Sequence, residues 1–465
     1  MHVQSLAIWL GHVFVGHLFR IETGGATPVM RFVADPEFAS LRDAPCLSLS
    51  MLDTPETQAA VWADIGNPLF NGNASPRYGI LLPAFFQNML PEGVFRDQVA
   101  ALRGCQALDH FEMLAACGLD LPGAVRAIPE ALSRDEVARL LMNNRESIEV
   151  EIVSSPMDDG VSLSGVQPKL GVLKEGDRYV GRTKLSDTHI IAKLPVVGYG
   201  KMPEVEDLSL RLARIAGVTT CHAELVPLER LEVEHHYDLG DSDSQTMFLA
   251  ITRFDRSPAG RIHCEDFAQI MGIQPEAKYS TSYLTVARLM MDTPSLGELA
   301  VHELLRRLLV NELLGNPDMH LKNMGIYYRD GRIPELSPAY DVVAYAAFNA
   351  RSGHAMHMLP PVVDAKPRIR ASVPGAALAG KPLLTPAVLR EFCAALGIPE
   401  KPAEKALRET AAKAVAHWPQ MIAESGLTDH QKGRLTRHLV GNDKFQAASK
   451  RVPGRSSGRR IGFTL

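Results

Sequence analysis

The stretch Gly315-Asn316-Pro317-Asp318-Met319-His320-Leu321-Lys322-Asn323 decides how this chain is read. It follows a helical pattern in which Val301, Leu304, Leu305 and Leu308 share one face that runs up to Gly315, so polar groups crowd into a turn directly after a buried helix. Functional side chains concentrate in such loops because a rigid element fixes their position. Asp341 follows eighteen residues after Asn323, in Leu336-Ser337-Pro338-Ala339-Tyr340-Asp341. Moving a phosphoryl group onto a hydroxyl requires a carboxylate that accepts or orients the hydroxyl proton. It also requires oxygen ligands that hold Mg²⁺ against nucleotide phosphates. Asp318, Asn323 and Asp341 are residues of the right type for these roles. An Asx-rich turn capped by Asn316 and Asn323 is the structural alternative for the same residues.

The spacing Asp318-x4-Asn323 followed by a later Asp matches the order of catalytic-loop Asp, metal-binding Asn and second metal-binding Asp in protein kinases. By chance alone Asp-x4-Asn is common, so the rest of the chain must supply the other parts. Lys193, in His189-Ile190-Ile191-Ala192-Lys193-Leu194, sits on an apolar strand where a lone charge is costly. Glu206, on the helix that follows Pro203, is its candidate partner, since a strand lysine paired with a helix glutamate positions the α- and β-phosphates. Upstream, Ser162 to Lys169 forms a loop of small residues whose amides suit phosphates, although it is no Gly-x-Gly-x-x-Gly. Two other patterns carry less. Gly375 to Pro382 matches a P-loop through Lys381, but Pro382 stands where a hydroxyl should bind magnesium. Asp318 and His320, with His354 and His357, suggest a metal-dependent hydrolase, against which His320 reads as a hydrogen-bonding partner within the loop.

The 465 residues are 46% hydrophobic and 22% charged, which excludes a mainly disordered chain and exceeds one ordinary core. With 49 Lys+Arg against 53 Asp+Glu the net charge is −4, so no global basic field attracts nucleic acid. Cys46, Cys105, Cys117, Cys221, Cys264 and Cys393 form no Cys-x-x-Cys pair, pointing to reduced thiols. The first nineteen residues lack Lys and Arg and no run reaches membrane-spanning length, so a cytoplasmic protein without membrane contact is expected. Strand-like alternation from Ser5 to Val33 precedes helical spacing at Arg96 to Leu102 and at Ala107 to Cys117, the latter with Gly118 as the expected C-cap. Ser133 and Glu136 have capping-box spacing. Strands return between Glu149 and Leu194, a helix places Val205, Leu208, Leu212 and Ile215 on one face, and helical signals dominate beyond the strand Phe248 to Ile251.

This order predicts an α+β protein with a two-lobed body and a mostly helical C-terminal lobe, and the resemblance of its motifs to a known family implies that the body is protein-kinase-like with an added N-terminal α+β subdomain. The expected divisions are 1–125 for the subdomain, 126–253 for a nucleotide-binding lobe, 254–445 for a helical catalytic lobe and 446–465 for a basic tail.

At these residues the chain resembles the HipA family of toxin serine/threonine kinases. The resemblance rests on Ser162 to Lys169, Ile191-Ala192-Lys193-Leu194-Pro195, Phe254-Asp255-Arg256, Gly315 to Asn323 and Pro338-Ala339-Tyr340-Asp341. In the opening region it rests on Pro45 to Ser50 and on Asn88-Met89-Leu90-Pro91-Glu92. The resemblance implies ATP as donor and Mg²⁺ as cofactor. It makes Asp318 the catalytic base, Asn323 and Asp341 the metal ligands, and His320 and Lys322 neighbours of the phosphates. Lys169 and Lys193 would contact ATP, and Thr252, Arg253 and Phe254 would form the hinge against adenine. It further implies an aminoacyl-tRNA synthetase as substrate, a helix-turn-helix antitoxin that contacts DNA as partner, and autophosphorylation at Ser162, with Ser164 as a second hydroxyl. Two other functions stay open: a small-molecule or lipid kinase of the same fold, and a co-repressor acting through a DNA-binding antitoxin. After Asp341 the chain departs from the family's usual run, with His354-Ala355-Met356-His357 in its place.

Overall fold

The computed structural model describes every residue except 26, 55, 142–148, 158–159, 164–166, 183–185, 350–352, 361–382 and 452–465. Ser164, the P-loop-like stretch from Gly375 to Pro382 and almost all of the basic tail therefore lie outside the described residues.

The alternation after Ser5 becomes a hairpin of His2–Leu10 and Val13–Glu22. Val29–Ala34 pairs on one side of it and Val125–Pro129 on the other, while Glu149–Val150 runs parallel to His2 and Val3. One sheet face packs Leu6, Ile8, Leu18 and Phe32 against Phe86, Phe111 and Leu114. The opposite face packs Val3, Phe19 and Ile21 against Val137 and Leu141 of the helix Arg134–Leu141. That helix begins with the expected capping pair: Glu136 N donates to Ser133 Oγ and Ser133 N to Glu136 Oε2. A boundary at residue 125 would cut the strand Val125–Pro129 out of its sheet, so the subdomain continues to about Val153. Gly118 caps its helix in right-handed backbone, contrary to the usual reason for a C-terminal glycine. It is required by proximity instead, since a Cβ there would lie 1.8 Å from Ala127 O.

A second sheet has the order Ala223–Pro227, Met247–Thr252, Ile190–Lys193, Lys169–Glu175, Arg178–Gly181, Leu231–Glu232 among the described residues. Val172, Tyr179, Ile190, Ala192, Phe248 and Ala250 form its core. A third, shorter sheet joins His263–Asp266, Gly325–Tyr328 and Glu335–Leu336.

The chain divides into two compact units, and the division is not the expected sequential one. The first comprises 1–203, 221–279 and 321–337; the second comprises 204–220, 280–320 and 338–465. The short third sheet thus joins the first unit, against an expected boundary at 253/254. Residues 204–220 join the second unit because of what they bond there. Trp418 Nε1 donates to Leu212 O at 3.0 Å, and Ala344 N donates to Ser209 Oγ at 2.8 Å. The rest of the second unit is largely helical, built on Tyr283–Asp292, Gly297–Leu314, Pro386–Leu396, Glu400–Glu424 and Asp429–Gly441.

The first unit encloses two clusters of buried polar groups. In one, Asp120 accepts from Arg253 at 3.1 Å, from Arg256 at 2.7 Å and from the Thr188 hydroxyl at 2.7 Å. Asp255 completes this cluster, bound by both arginines and by Gly123 N. In the other, Glu265 accepts from Ser48 Oγ, Leu49 N and the Tyr328 hydroxyl. Burial outweighs those bonds and pushes the Glu265 carboxyl up to about 7. A raised carboxyl binds its proton more tightly in the folded state, so its effect on stability is lost as pH rises from about 4.5 through 7. Glu265→Gln is expected to remove a drop of about 3 kcal/mol over that window, read as the difference between denaturation curves of the two proteins.

Candidate active site

The second unit contains Gly315 to His320 of the polar turn, and Leu321 to Asn323 belong to the first. Gly297–Leu314 is buried around nearly its whole circumference and stops at Gly315, whose left-handed φ of +63° lets its amide turn back to Asn311 O and Glu312 O. Asn316 N continues that turn to Asn311 O at 2.8 Å, and its side-chain amide donates to Asn311 Oδ1 at 2.6 Å. Asn316 Oδ1 then accepts Asp318 N at 3.1 Å, and the Tyr283 hydroxyl fixes Met319 O at 2.8 Å. Backbone and neighbouring side chains thus hold the turn, leaving the Asp318 side chain 38% exposed beside a His320 that is 5% exposed. His320 Nε2 lies 4.0 Å from Asp318 Oδ1. An Asx turn is therefore present, as the structural alternative required, and it presents a carboxylate rather than burying it.

Asp341 belongs to the same unit and has φ +53°, one of two left-handed non-glycine residues among those described. Such backbone costs about 1–3 kcal/mol and persists only where its surroundings enforce it. They do so here from both sides. Ala339 N donates to Thr219 O at 2.7 Å, and Ala344 N to Ser209 Oγ. Glu206 lies on the same helical segment and is fully buried.

One histidine of the less-favoured hydrolase pattern has another partner. His354 Nε2 bonds Glu312 Oε1 at 2.7 Å, and Lys444 and Leu384 N bond the same carboxylate. Burial opposes the Glu312 charge, but these partners prevail and hold its carboxyl down to about 2. Among the described residues no group of three or more His, Cys, Asp or Glu is placed to hold a metal.

The first unit carries the expected cationic side. Lys193 and Lys169 are direct partners across antiparallel strands, and both are buried. Directly paired residues face the same side with Cβ atoms about 4.5–5.5 Å apart, where like charges repel. Two buried ammonium groups so placed suit a polyanion, and the donor chemistry of Asp341 and Asn323 oxygens suits Mg²⁺.

Lys322 and Arg253 have partners within the protein. Lys322 Nζ donates to Asn88 O at 2.7 Å and lies 3.4 Å from Glu92 and 3.6 Å from Asp266, with its side chain 1% exposed. It anchors the turn Leu321–Asn323 to the Asn88–Glu92 segment. The Arg253 guanidinium is consumed by Asp120 and Asp255. The amides of Thr252 and Arg253 already donate to His222 O and His189 O, so neither can donate to an adenine ring. Phe254 sets its ring edge-on to Tyr327 at 6.0 Å. Ser162 is wholly buried, its hydroxyl donating to Met89 O and its amide to Asp120 O at 3.0 Å.

These two units are those of a kinase-like α+β protein with two lobes and an additional N-terminal subdomain. The chain belongs to the HipA family: the model of the HipA-like C-terminal domain matches residues 161–418 and that of the HipA N-terminal domain residues 6–128. Among curated relatives, Y4dM of Sinorhizobium fredii is 35% identical over 275 residues, covering 57% of this chain and 63% of Y4dM. The serine/threonine-protein kinase toxin HipA of Shewanella oneidensis is 26% identical over 288 residues, covering 56% of this chain and 62% of that protein. This chain thus spans less than two-thirds of the length of these relatives. A solved complex of HipA, HipB and operator DNA from S. oneidensis MR-1 contains a chain of the same fold. It superposes with a TM-score of 0.63 at 20% identity, covering 96% of this chain and 97% of that one. No helix among the described residues is long and apolar enough to cross a membrane.

Proposed function

We propose that this protein is an ATP- and Mg²⁺-dependent serine/threonine protein kinase and acts as a toxin. The observation that carries the reading is the buried, directly opposed pair Lys169 and Lys193, two cations set side by side on neighbouring strands, of the type that binds nucleotide phosphates. In this reading both lysines bind nucleotide phosphates, Glu206 supports the lysine side, and Asp318 accepts or orients the proton of the acceptor hydroxyl. Asn323 and Asp341 would hold Mg²⁺, which supplies neutralisation of the charge that develops on the transferring group. His320, close to the Asp318 carboxylate, orients it. Lys193→Met is expected to weaken ATP binding by roughly tenfold or more, as loss of a charge-assisted contact requires. Calorimetric titration with unchanged affinity would contradict the role.

The acceptor is proposed to be a protein of the translation machinery such as an aminoacyl-tRNA synthetase. The partner is proposed to be a helix-turn-helix antitoxin through which DNA is reached. A net charge of −4 agrees with DNA contact through a partner, and the S. oneidensis HipA chain of the same fold was solved with HipB and operator DNA. Ser162 is the proposed autophosphorylation site, with Ser164 as the second hydroxyl. A phosphate adds about −1.5 to −2 charge and cannot stay in the buried position against Met89 O, so the modified loop must leave and activity stops. After incubation with Mg-ATP, mass spectrometry is expected to find phosphate on this loop. An active preparation with both serines unmodified would contradict it.

A further inference from the structure

A cavity of about 360 Å³ opens in the first unit, lined by the start of the helix Gly93–Arg103 and by the segment from Pro275 to Lys278. None of the residues assigned above to phosphoryl transfer lines it, and its volume falls in the range of about 300–1,000 Å³ typical of small-molecule sites. Its cations are Arg77, Arg96 and Lys278, set against Glu92 and Glu276. His110 lies at its floor but adds no charge. Its ring nitrogens bond Gln87 and Tyr78 O, and burial beside Arg96 pushes it down to about 4.

The cations are under-compensated. Arg96 donates Nε to Pro91 O at 2.8 Å, and among the described residues the remainder of its fork makes no ion pair. Burial lowers its proton affinity and outweighs the attraction of Glu92, Tyr78, Asp97 and Glu276. Arg77 lies over the Tyr78 ring at 5.1 Å, likewise without an ion pair among the described residues. Lys278 reaches Glu92 only at 3.4 Å. At the same wall the helix begins at Gly93 with no side-chain hydrogen bond from its N-cap residue, so first-turn amides remain as donors. A partly buried guanidinium fork is matched by the paired oxygens of a phosphate, and the helix N-terminus adds favourable potential.

We infer that this cavity binds a small organic phosphate, whose phosphate group is held by the Arg96 fork, Lys278 and the first-turn amides of Gly93–Arg103. The site is wired to the turn that carries Asn323. Glu92 Oε2 accepts from Lys278 and its Oε1 faces Lys322 in an ion pair, each at 3.4 Å. A phosphate that takes Lys278 leaves Glu92 to Lys322, and so tightens the anchor of Leu321–Asn323. Occupancy then regulates the turn without touching nucleotide.

The test is calorimetric titration of the full-length protein with glycerol 3-phosphate and with inorganic phosphate, in the wild type and in Lys193→Ala, Arg96→Met and Lys278→Met. Glycerol 3-phosphate should bind saturably to wild type and to Lys193→Ala, more tightly than inorganic phosphate. Arg96→Met and Lys278→Met should each weaken it by about tenfold to a hundredfold. Hydrogen exchange at residues 321–323 should slow on binding to wild type. If Arg96→Met fails to fold, Lys278→Met decides alone, since among the described residues its side chain makes one long ion pair, to Glu92, and lies over the Tyr279 ring. Absence of saturable binding, undiminished affinity in Lys278→Met, or loss of binding in Lys193→Ala would overturn the inference. Binding of inorganic phosphate alone would overturn the organic ligand.

Discussion

Asp120→Ala is expected to destabilise the first unit by about 3–5 kcal/mol. The carboxylate is fully buried, binds Arg253, Arg256 and Thr188 and lies 3.8 Å from Arg182, so its removal leaves Arg253 and Arg256 to share Asp255 and takes a carboxylate away from three guanidinium groups. Burial works against the charge of both acids, but the arginines hold both carboxyls below the usual range. Depressed acids contribute stability that is fully present above their ordinary value near 3.8 and is lost as pH falls through the folded one. Acid unfolding below about pH 4 should therefore be shifted in the variant, and a denaturation midpoint equal to that of wild type would contradict the cluster's role.

The second large effect concerns chemistry. Asp318→Gln removes the carboxylate but keeps an oxygen acceptor, and the turn is held by Asn316, Asn311 and Tyr283 rather than by the Asp318 side chain. Fold and ATP affinity are expected to be retained while phosphoryl transfer falls by about 10²–10⁴-fold, the share attributable to a positioned general base. A variant with wild-type transfer would remove Asp318 from catalysis. A variant that loses ATP binding would make it a structural residue.

Much of the fold could be read from the sequence where the information is local. Alternation gave the opening strands, the Ser133 and Glu136 pair gave a helix start, and the apolar face at Val301 to Leu308 gave the buried helix that ends at Gly315. Unit boundaries were not legible. Residues 204–220 join the second unit through Trp418, more than two hundred positions away, and no local pattern records that bond.

The candidate site divides in the same way. Asp318 and His320 stand in a turn whose caps are nearby, so residue type and spacing point to them, whereas Asp341 is held through Thr219 and Ser209, more than a hundred positions away. The partners of Lys322 and Arg253 were not legible. A charged residue beside a motif reads as a ligand until its partner is known, and those partners, Asn88 and Asp120, lie 234 and 133 positions away. The opposition of Lys169 and Lys193 depends on strand register, which periodicity alone does not set. His354 illustrates the converse, a candidate metal ligand that a buried glutamate claims.

The central claim is protein phosphorylation, and the direct measurement is transfer of label from γ-labelled ATP with Mg²⁺ into cell-lysate proteins by the wild-type chain, Asp318→Gln and Asp341→Asn. Discrete labelled protein bands with wild type that vanish with both variants are expected. No labelled band, or equal labelling by all three proteins, would contradict it.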